Sequence, residues 1–299
     1  MFKIAVTGVQ GQVARSLAEL SETGAFALVT MGRPEFDLAE PETFKQALEA
    51  SRPDLVISAA AYTAVDQAED DREAAYAVNA AGPGALANAA AALGAPVLHL
   101  STDYVFSGSK GSPYVEDDPT DPQSVYGASK LAGEEAVLSS GARALVLRTS
   151  GVYAPFGANF VRTMLRLAAA RDELTIVSDQ RAYFTYAPSL AEALVEVGRR
   201  FAADPDRPNE VLHAAGSESG SWAEFAEGIF AESERRGGPT ARVRPIPSSE
   251  YPTKARRPAD SRLDGGRLQD RYGVRLPGWR ADMPRCVERL LTQDGGAAA

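Results

Sequence analysis

The chain has 299 residues, 44% of them hydrophobic, which is enough to bury a substantial core and fits one large α/β domain or one domain with a smaller lobe. A formal net charge of -9 argues against a nucleic-acid binder, which needs a basic face, while leaving open an anionic small molecule held by a local basic patch. A single cysteine, Cys286, excludes an internal disulfide; two histidines, His99 and His213, are too few for a zinc cage, so no metal is expected; and no apolar run reaches bilayer length, so the expectation is a cytoplasmic protein with no membrane partner.

Taken in chain order, residues 3–7 read as a strand, 11–20 as a helix and 25–30 as a second strand, the rhythm of a βαβ unit. A helix at 41–50, a strand at 55–58, a helix from 70 to 79 running on to 93, and a strand at 97–101 continue it. A helix from Tyr126 to about Ser139 and a buried strand at 144–148 complete the pattern. The fold class is therefore α/β: a Rossmann-type doubly wound parallel sheet over residues 1–150. Beyond Thr149 the alternation breaks and Pro, Gly and Arg rise. Residues 151–292 are expected to form mainly a smaller substrate-binding lobe, with some segments returning to the first domain. The tail 293–299 is expected to be disordered.

Where the first strand meets the first helix stands Thr7-Gly8-Val9-Gln10-Gly11-Gln12-Val13-Ala14. Gly8 permits a tight turn, Gly11 lets the backbone approach a pyrophosphate, and small Ala14 lets helix and strand pack closely, so the helix N-terminus can face phosphate charge. Glycines that merely make a turn are the plainer reading, weakened here by the position after the first strand. At the end of the second strand, Gly32-Arg33-Pro34 carries a cation where an acidic residue normally holds the adenosine ribose of NAD. Arg33 can meet a 2′-phosphate or remain a solvated loop residue, so NADPH is slightly favoured over NADH. Asp37-Leu38 can touch the adenine edge, or Asp37 can cap the next helix.

Ser101-Thr102-Asp103-Tyr104 lies at the C-terminal end of the fourth strand, the edge where ligands bind in an open α/β sheet. Downstream, Tyr126 and Lys130 stand four apart, on one helix face. When hydride reaches a carbonyl carbon, the oxygen gains charge and needs a proton, but a phenol with a pKa of about 10 is a sluggish donor at neutral pH. A nearby ammonium lowers that value, and Thr102 can hydrogen-bond the developing oxyanion. A Tyr-x-x-x-Lys pair alone is more often a helix-surface pair; the upstream hydroxyls and the dinucleotide turn give it a catalytic reading.

With these residues in place, the chain resembles the extended short-chain dehydrogenase/reductases, and within them the dTDP-4-dehydrorhamnose reductase family. The resemblance runs over nearly the whole chain, through Ala59-Ala60-Ala61-Tyr62-Thr63, Val78-Asn79, Ser101-Thr102-Asp103-Tyr104-Val105-Phe106, Tyr126-Gly127-x-Ser129-Lys130, Arg148-Thr149-Ser150, Ser221-Trp222 and Arg257-Pro258-x-x-Ser261. It implies reduction of the C4 ketone of a dTDP-linked 6-deoxyhexose, with Tyr126 as proton donor, Lys130 its helper and holder of the nicotinamide ribose, and Thr102 a carbonyl partner. It further implies that Gly11, Gln12 and Val13, with Gly8 and Gln10 in the same turn, wrap the pyrophosphate. Asp37 and Leu38 take the adenosine end, Ala60, Ala61, Tyr62 and Thr63 the ribose side, and Thr102, Asp103 and Tyr104 the sugar.

Three departures from the family pattern stand out. Gly151 replaces a tryptophan of the sugar pocket, and Arg181-Ala182-Tyr183-Phe184-Thr185 has lost its usual Gly and Pro. Tyr183 or Phe184 is accordingly expected to rebuild the pocket's aromatic wall. Arg15-Ser16 stands where metal-linked dimers of the family carry a carboxylate, so either a monomer or a homodimer is expected. The competing readings are an epimerase or dehydratase on the same scaffold, with tightly held NAD, and a non-catalytic regulatory subunit.

Overall fold

The computed structural model describes residues 1–295, with side chains to 292. In chain order its first half runs β1 (Lys3–Thr7), α1 (Gln12–Ser21), β2 (Ala27–Met31), α2 (Glu42–Ser51), β3 (Leu55–Ser58), α3 (Arg72–Tyr76), α4 (Gly82–Ala91), β4 (Val97–Thr102), α5 (Val125–Leu138) and β5 (Ala144–Thr149). There follow β6 (Val152–Tyr153), α6 (Phe160–Ala168), β7 (Glu173–Val177), β8 (Arg181–Tyr183), β9 (Thr185–Tyr186) and α7 (Ala187–Ala203). The chain ends with β10 (Glu210–His213), β11 (Ser219–Ser221), α8 (Trp222–Arg235), β12 (Arg242–Ile246), α9 (Gly266–Tyr272) and α10 (Trp279–Gly295).

Six of these strands form one parallel sheet in the order β10-β5-β4-β3-β1-β2, the doubly wound Rossmann arrangement. Side chains alternate across a strand, so Ile4 and Val6 of β1 enter one core while Ala5 enters the other. The first core packs β1 against Val13 and Leu17 of α1 and Leu190 and Leu194 of α7. The second sets Phe44 and Leu48 of α2, Leu86 of α4 and Val137 of α5 on the opposite face. From β1 the chain moves outward to β2 and then returns to the other side of β1 as β3, which opens a crevice at the C-terminal ends of β1 and β3.

The helix expected over 70–93 runs from Arg72 to Ala91 without a break, with a bulge in its middle. It runs as α3, a wide π turn over Ala77–Ala81, and then α4, with Pro83 in the first turn of α4, where its missing N–H removes a helical hydrogen bond. A separate core lies in the second half, where Tyr153, Phe184, Phe225, Ile229 and Trp279 bury together. Small two-stranded pairings, β6 with β9, β7 with β12 and β8 with β11, frame it. Helix α7, β10 and α9 pack instead with the first sheet. The tail expected at 293–299 falls partly in α10, which continues to Gly295; residues 296–299 lie outside the described residues.

Candidate active site

The turn after β1 is built around Gly8, whose φ of 93° is a left-handed conformation that disfavours any side chain. Its N–H donates to the Met31 carbonyl, and a Cβ there would touch Ala60 of the β3 loop at 3.5 Å. Thr7 Oγ1 accepts the N–H groups of Ala59 and Ala60, so the ends of β1 and β3 are tied side by side. Helix α1 starts at Gln12 with Gly11 as its N-cap and no side chain capping its first N–H groups. A Cβ on Gly11 would meet nothing within 4 Å, so the approach to these donors is open. Gln12 Oε1 is buried without a protein partner beside this turn. Open space and uncapped donors fit a dinucleotide phosphate here, while the Gln12 oxygen, an acceptor, calls for a hydroxyl rather than the phosphate.

The flanking residues divide. Arg33 is 81% exposed with only Asp37 near it, at 4.0 Å, so its guanidinium is free to turn toward a phosphate. Asp37 does not cap α2, whose N-cap is Pro41; its Oδ1 accepts the Ala39 N–H and stabilises its own turn. Leu38 buries its side chain, leaving only backbone for an adenine. Ala60, Ala61, Tyr62 and Thr63 leave the end of β3 half-buried or exposed, and Asn79 grips both the N–H and the carbonyl of Tyr62.

The hydroxyl cluster sits at the C-terminal end of β4. Ser124 caps α5 by accepting the Gly127 N–H, which starts the helix one residue before Tyr126. Gly127 has to be glycine, because a Cβ there would come 2.2 Å from the Tyr104 carbonyl; this close approach brings Tyr126 against the end of β4. Tyr126 is half-buried as a residue, and Thr102 lies near enough to its phenol to oppose the rise that burial causes. Thr102 Oγ1 donates to Asp103 Oδ1 at 2.9 Å. Burial raises the Asp103 carboxyl to about 6, and hydrogen bonds from Ser261 and Thr102 work against that rise.

One electrostatic expectation is corrected. The Tyr126 phenol is raised above its ordinary value, not lowered, because loss of solvent, joined by the charges of Asp103 and Tyr104, outweighs the hydrogen bond from Thr102. Lys130 lies on the same helix face, but its ammonium is bound by the Leu100 carbonyl at 2.6 Å and His99 Nε2 at 3.2 Å. Burial lowers Lys130 to about 8, with Glu134 pulling the other way. The spacing in sequence placed the pair on one face; it carried no information on what lay beneath.

The expected aromatic wall is corrected at Phe184. Phe184 is buried in the second core, stacked on Phe225 at 4.1 Å and edge-on to Trp222 at 5.0 Å, so it faces no open pocket. Gly151 leaves no vacant indole space: at φ 55°, a Cβ would lie 2.9 Å from Phe184 Cδ1 and 3.0 Å from the Tyr183 carbonyl. The glycine is what a tight crossing between β5 and β8 requires. Tyr183 is half-buried and, with His213, Leu263 and Arg275, lines a cavity of about 220 Å³ that none of Thr102, Tyr126 and Lys130 borders.

Arg257, visible in the sequence only within the Arg257-Pro258-x-x-Ser261 motif, is brought to the site by the fold. Arg257 Nη1 donates to the Tyr104 hydroxyl at 3.1 Å, and Nη2 pairs with Asp66. Tyr104 in turn meets Tyr126 edge to face at 5.5 Å. The segment carrying Arg257 and Ser261 thus ties the second half of the chain to the end of β4. Among the described residues, no group of His, Cys, Asp and Glu is placed to hold a metal ion, and no helix is long and apolar enough to cross a membrane.

Comparison with known proteins adds a family. The RmlD substrate binding domain profile matches residues 2–292. A dTDP-4-dehydrorhamnose reductase of Sinorhizobium fredii is 45% identical over 97% of this chain and 98% of its own. One from Burkholderia thailandensis is 46% identical over 97% of this chain and 100% of its own. A solved dTDP-4-dehydrorhamnose reductase from Bacillus anthracis, in complex with NADP, superimposes with a TM-score of 0.88 at 31% identity, covering 98% of this chain and 100% of that one.

Proposed function

Because this chain belongs to the RmlD substrate binding domain family, shared with the curated dTDP-4-dehydrorhamnose reductases it matches, we propose that Tyr126, Lys130 and Thr102 carry out an NADPH- or NADH-dependent reduction of a dTDP-linked 4-keto sugar. The observation that carries this reading is the convergence of three elements on one sheet edge: the open turn at Gly8 and Gly11, the hydroxyl cluster ending β4, and the Tyr126–Lys130 face of α5.

The residues fit a dinucleotide in that turn, and the coenzyme, when bound, supplies the hydride. This chain's residues do the rest. Gly11, Gln12 and Val13 present backbone N–H groups to the pyrophosphate, while Gly8, its own N–H held by the Met31 carbonyl, shapes the turn and Gln10 lies on its exposed rim. Arg33 takes a 2′-phosphate where one is present, Asp37 and Leu38 line the adenosine end, and Ala60 to Thr63 flank the ribose. Tyr126, with its phenol raised by burial, is in the proton-carrying form throughout the neutral range and gives that proton to the developing alkoxide. On substrate binding the Thr102 hydroxyl turns its one proton from Asp103 to the carbonyl oxygen, which it orients beside the Tyr126 hydroxyl. Lys130 holds the ribose and offsets charge left on the phenolate. Asp103 and Tyr104 contact the sugar, and Arg257 fixes Tyr104. The second lobe supplies the nucleotide end of the sugar site, and the proposed compartment is the cytoplasm.

The test is oxidation of NADPH and NADH across a panel of dTDP-4-keto sugars, with product stereochemistry read by NMR. Net coenzyme consumption with reduction at C4 supports the reading. Conversion without net consumption would point to an epimerase or dehydratase, and no conversion of any sugar would point to a non-catalytic role.

A further inference from the structure

Lys130 and His99 meet inside the sheet. Lys130 is 3% exposed and His99 0%, and the ammonium donates to the Leu100 carbonyl and to His99 Nε2, both on β4. An ammonium only donates, so Nε2 must be the bare nitrogen of the ring. The ring proton therefore sits on Nδ1, which donates to Ser58 Oγ on β3 at 3.1 Å. Burial, reinforced by the facing ammonium, holds His99 well below its ordinary value, so this acceptor form persists through neutral pH.

We propose that His99 is a positioning residue for Lys130: with the Leu100 carbonyl it engages two of the three ammonium N–H bonds, fixing the direction of the third toward the catalytic face. The proposal rests on the reductase reading of Lys130. His99 holds the Lys130 ammonium in place and does not convey protons, because Ser58 beyond it is itself buried and the path ends inside the sheet. Helix α5 closes the other side, where Gly133 allows its backbone against Asn79 and leaves a Cβ position only 3.5 Å from His99 Nε2. The other charged group acting on Lys130 is Glu134 of its own helix, which Arg148 of β5 clamps with two hydrogen bonds at 2.9 and 2.6 Å. Strand β3 offers only Ser58, and the turn at Ala77–Ala81 offers neutral Asn79.

The experiment follows the Lys130 Nζ titration by ¹⁵N NMR, assigned with Lys130→Met, beside NADPH affinity as a function of pH. Losing an acceptor for a charged donor should lower the Lys130 pKa by about one unit in His99→Leu, roughly a tenfold loss of ammonium above that pKa. NADPH binding should then weaken at correspondingly lower pH. His99→Gln, whose side-chain oxygen replaces Nε2 as acceptor, should return most of the shift. Ser58→Ala keeps the ring but frees its tautomer, and should give a smaller shift in the same direction; it serves if the leucine variant does not fold. Lys130 titrations that coincide in wild type and in the folded His99 and Ser58 variants would overturn the proposal. Neither readout needs turnover, so failure of the reductase assay would be distinguishable from failure of the His99 role.

Discussion

Gly151→Ala should destabilise the protein by about 2–5 kcal/mol, a sum with two parts. Holding an L residue in the left-handed region costs about 1–2 kcal/mol, and Gly151 sits at φ 55°. The new Cβ would also lie 2.9 Å from Phe184 Cδ1 and 3.0 Å from the Tyr183 carbonyl. Phe184 cannot withdraw, since it is stacked on Phe225 and abuts Trp222 and Trp279. Overpacking of this kind adds about 1–3 kcal/mol. At roughly 2–4 °C per kcal/mol, thermal unfolding should fall by about 4–20 °C. Gly151→Trp should be worse and should not raise activity on dTDP-4-dehydrorhamnose. An alanine variant that unfolds at the wild-type temperature would refute the tight-crossing account, and a stable, more active tryptophan variant would restore the view of Gly151 as an opened sugar subsite.

Lys130 should impose a pH limit on coenzyme binding. Its ammonium is lost as pH rises through about 8, so NADPH affinity should decline across that point, and Lys130→Met should be weak at every pH when titrated by fluorescence. The same group should make the fold gain stability between about 8 and its ordinary value, because there the unfolded chain binds more protons than the folded one; denaturant midpoints against pH check the sign. Glu134→Ala should cost roughly 3–5 kcal/mol in urea unfolding, since it leaves buried Arg148 without its paired carboxylate. Arg33→Ala should raise the Kd for NADPH while leaving NADH unchanged; equal weakening would make Arg33 a general loop residue.

Periodicity made the first domain legible. Alternation in β1 sends Ile4 and Val6 one way and Ala5 the other, and such strands separated by amphipathic helices leave few topologies to choose from. The Tyr126–Lys130 spacing and the Gly8–Gly11 turn were legible because their chemistry is local to one helix face or one turn. What stayed hidden depends on contacts distant in sequence. Phe184 reads as a loop aromatic until Phe225, Trp222 and Trp279 close around it. His99 reads as a lone strand histidine, and only the packing of α5 onto β4 puts it on Lys130. Arg257 lies far along the chain from Tyr104, so no window of sequence joins them. Asp37 carried two local readings, and the start of α2 at Glu42 removes the helix-capping one.

The central claim is that Tyr126 delivers the proton, and Tyr126→Phe tests it most directly. With dTDP-4-dehydrorhamnose and NADPH, the account predicts a loss of at least ~100-fold in kcat, as for removal of a general acid, while NADPH binds the variant with wild-type affinity because the turn at Gly8 and Gly11 is untouched. Turnover close to wild type in that variant would contradict the account.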